Sequence, residues 1–159
     1  MANLIYASIR GKKQGLISAG CGTFESIGNK YQSTHSDEIF VLQLEHSLSR
    51  IDNTIHHPIK FFKPIDKSSP LLGVAISENE ELSLVFNFYR TCKGGGVELF
   101  YTVTVNGAHI SNISSCYPHV LNHAGNQPEE VITIAYKDIT WKHHGAGTEG
   151  YSLWEDRLF

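Results

Sequence analysis

The chain has 159 residues, a net charge of −3 and 18% charged residues, which is enough for one domain with its own apolar core and too little for two ordinary ones. That balance offers no basic field to nucleic acid, and no block of Lys or Arg supplies one locally. No stretch approaches the ~20 apolar residues of a membrane span, and the start Met1-Ala2-Asn3-Leu4-Ile5-Tyr6 lacks the charged and apolar regions of a secretory leader, so composition alone predicts a cytoplasmic protein that binds no nucleic acid and inserts in no membrane.

Leu4-Ile5-Tyr6-Ala7 predicts an opening strand. Residues 11–36 are rich in Gly, Ser, Asn and Gln and show no sustained period, which predicts a long excursion with at most a short strand around residues 16–21. A connection of that length inside a compact domain is uncommon and usually functional. Phe24, Ile27 and Tyr31 stand out on it, because apolar and aromatic side chains on a polar loop tend to fill a partner's surface; they are the candidate oligomer-interface residues.

A further strand is expected over residues 39–48, and another over residues 57–63, ended by Pro64, which withdraws a ladder donor. Ser68 or Ser69 then caps a short helix over residues 69–78 with Pro70 in its first turn, where a missing N–H costs nothing. Leu71, Leu72, Ala75 and Ile76 share one face of that helix, with Leu72 and Ile76 the expected core contacts; Asn79 can take a left-handed cap conformation. Glu78, Glu80 and Glu81 read as a solvated corner.

Leu82, Leu84, Phe86 and Phe88 alternate with Ser83, Val85, Asn87 and Tyr89, and Val97, Leu99, Tyr101, Val103 and Val105 with Glu98, Phe100, Thr102, Thr104 and Asn106, so each set forms one face of a strand. Lys93-Gly94-Gly95-Gly96 between them predicts a hairpin. Residues 116–130 form a surface loop, and residues 131–141 a strand with Ile132, Ile134 and Tyr136 on one side. The fold class is all-β with one short helix. One helix cannot cover a parallel sheet, so the strands are expected to be mostly antiparallel and barrel-like.

Catalytic and metal chemistry find little support in these residues. Cys21, Cys92 and Cys116 are odd in number and unrelated in spacing, which predicts free thiols rather than a disulfide framework or a zinc site. Adjacent residues on a strand point to opposite faces, so neither His56-His57 nor His143-His144 can chelate one ion through both rings; His109, His119 and His123 have no spacing that brings them in as further ligands. The run from Gly145 to Gly150 satisfies G-x-G-x-x-G, but a dinucleotide site needs a helix opening at the glycines and an acidic residue ~20 positions later, so a turn before a terminal strand is expected instead. No G-x-S-x-G elbow occurs, and Cys21 has no sequence cue for a partnering base. Asn112-Ile113-Ser114 matches a glycosylation sequon, a triplet common by chance.

The run HHPIKFFKPIDKSSPLLGVAI over residues 56–76 resembles the most recognisable stretch of the Hcp proteins, the tube subunits of bacterial type VI secretion, in their enterobacterial branch. Leu4-Ile5-Tyr6-Ala7, residues 12–18, residues 82–90, residues 127–131 and Ile139-Thr140-Trp141 are similar to the same family in order and spacing. The resemblance implies a single Hcp-like domain over residues 1–159, with residues 11–38 an extended loop that reaches neighbouring subunits. It implies a non-enzymatic, ring-forming protein: stacked hexameric rings that form a tube and carry effectors in the lumen. Its partners would be further copies of itself, a spike protein, a sheath and effectors. It would need no cofactor, and would leave the bacterial cytoplasm by the type VI route without a signal peptide. The tail to Phe159 leaves no room for the C-terminal toxin domain of extended members. Two other classes fit a β-barrel of this size: a cupin-like metal-dependent enzyme with histidines converging inside the barrel, and a monomeric small-ligand-binding barrel that uses its mouth.

Overall fold

A computed structural model describes residues 3–154. Its strands are β1 (Leu4–Gly11), β2 (Gly15–Leu16), β3 (Ile39–Val41), β4 (Gln43–Glu45), β5 (Leu48–Arg50), β6 (Thr54–His56), β7 (Ile59–Pro64), β8 (Leu82–Thr91), β9 (Val97–Cys116), β10 (Glu129–Ala135), β11 (Asp138–His143) and β12 (Thr148–Leu153). Two helices, α1 (Phe24–Ile27) and α2 (Ser69–Ser77), and two 3-10 turns complete it. The protein is all-β with short helices, and every strand pairing is antiparallel.

The main wall runs β2-β1-β8-β9-β10-β7-β4, with the β11–β12 hairpin branching from β9. Residues 39–48, expected as one strand, break at Leu42. Its first part, β3, pairs with β1, while β4 pairs with β7 at the opposite end of the wall. This bent segment bridges the two ends and makes the sheet barrel-like without one strand closing it. Leu48 belongs instead to the separate β5–β6 hairpin.

β9 is the axis of the fold, and bulges explain how one strand serves three neighbours. Its register against β8 shifts twice, once between Phe88 and Tyr89 and once between Leu82 and Leu84; its register against β10 shifts between Thr133 and Ile134. Each extra residue bends the strand and resets which face is buried. Val103 and Val105 point inward, but after Gly107, at φ +59°, the buried positions become Ala108 and Ile110. Residues 131–141, expected as one strand, are likewise two. β10 ends at Ala135, Tyr136 and Lys137 turn the chain, and β11 then pairs with β9.

The interior is filled by Ala7, Ile9, Ile39, Val41, Ile59, Phe61, Leu84, Phe86, Val105, Ile132, Ile134 and Ile139, with Phe61 and Phe86 packed edge to face at 5.3 Å. Leu72 and Ala75 bring α2 onto this core, whereas Ile76 is only half-buried. Ser68 stands at the N-cap of α2, yet its side chain does not cap; its hydroxyl and N–H both donate to Asp66 Oδ1. Pro64 remains inside β7, opposite Glu129.

Polar residues take unexpected core positions. Lys63 is fully buried; its ammonium donates to the Pro64 carbonyl at 3.0 Å, lies 2.9 Å from Asp66 Oδ1, and pairs with Glu130. Glu80 is not part of a solvated corner. Burial alone would raise its pKa, but hydrogen bonds from the Gln14 N–H and side chain and from the Lys13 N–H hold the carboxyl below its usual range. Gly11 leaves room for that carboxylate, since a Cβ there would stand 2.0 Å from Glu80 Oε2.

Candidate assembly surface

Residues 11–36 fold into two parts of different character. The base is core: Ile17, Ser18, Cys21 and Gly22 are buried, and after Gly11, where β1 ends, only Gly15–Leu16 forms a strand. Gly22 donates its N–H to the Ser36 carbonyl at 3.0 Å, and a Cβ on Gly22 would collide with the His35 carbonyl oxygen. His35 stacks on Tyr6 at 3.9 Å and is 2.9 Å from Glu38 Oε1. Burial pushes the Cys21 thiol up to about 11, with Asp66 adding to the rise, so it stays protonated and inert. Cys92 and Cys116 are also free thiols.

The tip, by contrast, faces outward. Phe24 opens α1 and is 59% exposed; Tyr31 follows the 3-10 turn Gly28–Lys30 and is 50% exposed. Their rings meet edge to face at 5.8 Å and 89°, so the two aromatics form one preformed apolar knob. Ile27 is half-buried and lines a groove with Pro64, Ile65 and Pro128. The Lys67 N–H donates to Ser26 Oγ at 2.9 Å and tethers the tip to the start of α2. The structure therefore brings Phe24 and Tyr31 together and leaves Ile27 partly within the subunit.

A second set of exposed apolar side chains, which pattern reading of the sequence passes over, lies on the loop after β9. The loop over residues 117–128 exposes Tyr117 at 71%, Val120 at 79% and Leu121 at 83%. The Lys30 ammonium donates to Gln127 and joins this loop to the tip that carries Phe24 and Tyr31. An irregular pattern with Pro118 and Pro128 marks residues 116–130 only as surface; three large apolar side chains within it are the available signal. On the β5–β6 hairpin, Leu48, Ile51 and Ile55 are exposed as well.

Only the first histidine of each doublet lies in a strand: His56 ends β6 and His143 ends β11, while His57 and His144 follow outside them. His56 points inward and His57 outward, where its Nε2 lies 2.6 Å from Ser49 Oγ. His143 Nδ1 accepts the Ala146 N–H at 3.0 Å within the turn between β11 and β12, and His144 Nε2 lies 2.7 Å from Thr102 Oγ1. The G-x-G-x-x-G run is thus a hairpin turn followed by a strand. Among the described residues no three of His, Cys, Asp or Glu are grouped to hold a metal ion, and no helix is long and apolar enough to cross a membrane.

A family model described as "Type VI secretion system effector, Hcp" matches residues 6–143, from β1 into the end of β11. Protein YhhZ of Escherichia coli strain K12 is 43% identical over 154 residues; the match covers 94% of this chain, which spans 37% of YhhZ. The Major exported protein of Pseudomonas aeruginosa is 36% identical, with 97% of this chain and 96% of that protein covered. A crystal structure of an Hcp protein superposes with a TM-score of 0.92 at 31% identity, covering 98% of this chain and 99% of that one.

Proposed function

The chain belongs to the Hcp family of type VI secretion proteins, and from that premise we propose that it is a structural subunit of the secretion tube. Copies associate into hexameric rings, the rings stack, and the assembled tube is exported and carries effectors in its lumen. No bond is made or broken. A tube needs two kinds of contact, one that closes the ring and a head-to-tail one that extends it without closing. Spike, sheath and effector proteins are its partners in this reading, and the cytoplasm is where it resides before assembly.

The observation that carries the reading for this chain is the exposed aromatic pair Phe24 and Tyr31, set on a base buried in the subunit's own core. A monomer gains nothing by holding two aromatic rings in water, whereas a neighbouring copy would bury them. Phe24, Ile27 and Tyr31 are proposed as contacts between subunits. Negative-stain electron microscopy of the purified full chain tests this: rings of uniform diameter are expected, and featureless particles of protomer size would contradict it.

A further inference from the structure

Four side chains from four separate segments meet end to end at one side of the barrel. The Tyr136 hydroxyl, in the turn between β10 and β11, lies 2.8 Å from His46 Nε2 and 2.8 Å from His56 Nδ1. The other nitrogen of His56 lies 2.9 Å from Ser152 Oγ on β12. Trp154, which follows β12, stacks on the His56 ring at 5.8 Å and meets the Tyr136 ring edge to face at 4.7 Å. His56 and Tyr136 are buried, at 5% and 4% exposure, and His46 is half-buried.

The protons of this chain can be counted. With both rings neutral the relay runs either from Ser152 through His56 and Tyr136 to His46 or in the reverse direction, and in both directions every proton along it has an acceptor. Protonation of both rings makes His46 Nε2 and His56 Nδ1 donors aimed at the same phenol oxygen, whichever way the neutral relay runs. Tyr136 then receives two N–H groups and its own proton loses its acceptor, in a side chain only 4% exposed. With both rings protonated, two like charges also face each other across one oxygen. An unmatched buried donor and uncompensated buried charge are both costly.

We propose that Ser152, His56, Tyr136 and His46 form an acid-operated latch that fastens the end of the β11–β12 hairpin to the β5–β6 hairpin and lets β12 go when the two histidines are protonated. The rest of the wall is held by apolar packing and stays. The titratable groups facing His46 are Tyr136, His56 and His57, and those facing His56 are Tyr136 and His46. Lys137 and Glu45 adjoin the cluster in sequence but are exposed. Glu155 and Asp156 lie outside the described residues and are neutralised in the test below.

Burial lowers the pKa of both histidines, with the neighbouring His56 and His57 adding to the effect on His46; backbone hydrogen bonds to His57 for His46 and to Leu153 for His56 oppose the shift without reversing it. The closed latch therefore binds fewer protons than the open one. It is favoured above the ordinary histidine value of ~6.5 and weakens as pH falls below it, down to the depressed folded values. In that window the closed-to-open ratio falls about tenfold per pH unit for each histidine that titrates.

Hydrogen exchange on the full chain at pH 7.5 and 5.0, corrected for intrinsic rates, tests the latch. Protection of β12 should fall at least tenfold at the lower pH, while protection of β8 changes less than twofold. A His46→Gln, His56→Gln double variant should lose this pH dependence, Tyr136→Phe should expose β12 already at pH 7.5, and a Glu155→Gln, Asp156→Asn variant should behave as the wild type. Should the double variant not fold, ring resonances of His46 and His56 in the wild-type chain serve instead: they should titrate below the ordinary value, with the same midpoint as the loss of β12 protection. Equal loss in β12 and β8, pH dependence that survives the double substitution or vanishes with the carboxylates, or unrelated midpoints overturn the proposal.

Discussion

Lys63 Nζ lies 2.9 Å from Asp66 Oδ1 with both side chains shut off from solvent. Glu130 completes the group from β10, and Ser69 Oγ donates to Glu130 Oε1 at 2.6 Å while accepting the Asp66 N–H at 3.0 Å. One cation thereby joins β7, the start of α2 and β10 at a single point in the interior. Removing it leaves two carboxylates buried without a counter-charge. Lys63→Met should cost about 3–5 kcal/mol in a urea melt despite its similar shape and greater hydrophobicity. A loss below about 1 kcal/mol would mean that water or proton uptake relieves the pair at little cost.

Glu80 should make part of the protein's stability depend on acid. Its folded pKa is depressed, so its contribution is present above the unfolded value of ~4.3 and is lost as pH falls through the lower folded value. Glu80→Gln should therefore be less stable than wild type at pH 7, by about 1–3 kcal/mol for hydrogen bonds to a charged group, and the gap should close as pH falls towards 3. A gap that stays constant with pH would show that the charge of Glu80 is not what the Lys13 and Gln14 N–H groups hold.

The two apolar residues expected to anchor α2 should differ. Leu72 is fully buried and Ile76 only partly so. Leu72→Ala should cost about 2–5 kcal/mol as a core deletion, Ile76→Ala clearly less, and Val74→Ala, on the exposed side, close to nothing. Equal losses at Leu72 and Ile76 in parallel melts would place the helix differently on β9.

Which features were legible in the amino-acid order follows from where their causes lie. The alternation of Leu82, Leu84 and Phe86 and the glycines after Lys93 are local signals, and they locate β8 and its hairpin to β9 directly. The break at Leu42 has no local signal, because it arises from two different strands, β1 and β7, competing for one segment. Tyr136 and Lys137 resemble strand residues on either side, so the turn they make was hidden as well. Lys63, Glu80 and Glu130 look like surface residues until their partners, far apart in sequence, are brought to them. The same holds for the meeting of His46, His56 and Tyr136. At the proposed assembly surface, the aromatic residues of the tip are visible as apolar exceptions on a polar loop, while Tyr117, Val120 and Leu121 become evident only through their exposure.

Replacing residues 23–32 with a short Gly/Ser linker should separate assembly from folding. Its buried neighbours Ile17, Cys21 and Ile39 lie outside the replaced segment, so far-ultraviolet dichroism should stay strand-like and unfolding cooperative. Ring formation or stacking should weaken, since the Phe24 and Tyr31 pair is gone. Loss of the folded monomer would assign the tip to the core, and unchanged rings would remove it from the interface.

The molar mass of the purified chain by light scattering bears most directly on the tube-subunit reading. A mass near six times the 17.7 kDa protomer, maintained on dilution through the micromolar range where specific interfaces of ordinary size hold, is the expected result. A clean monomer at tens of micromolar would contradict it.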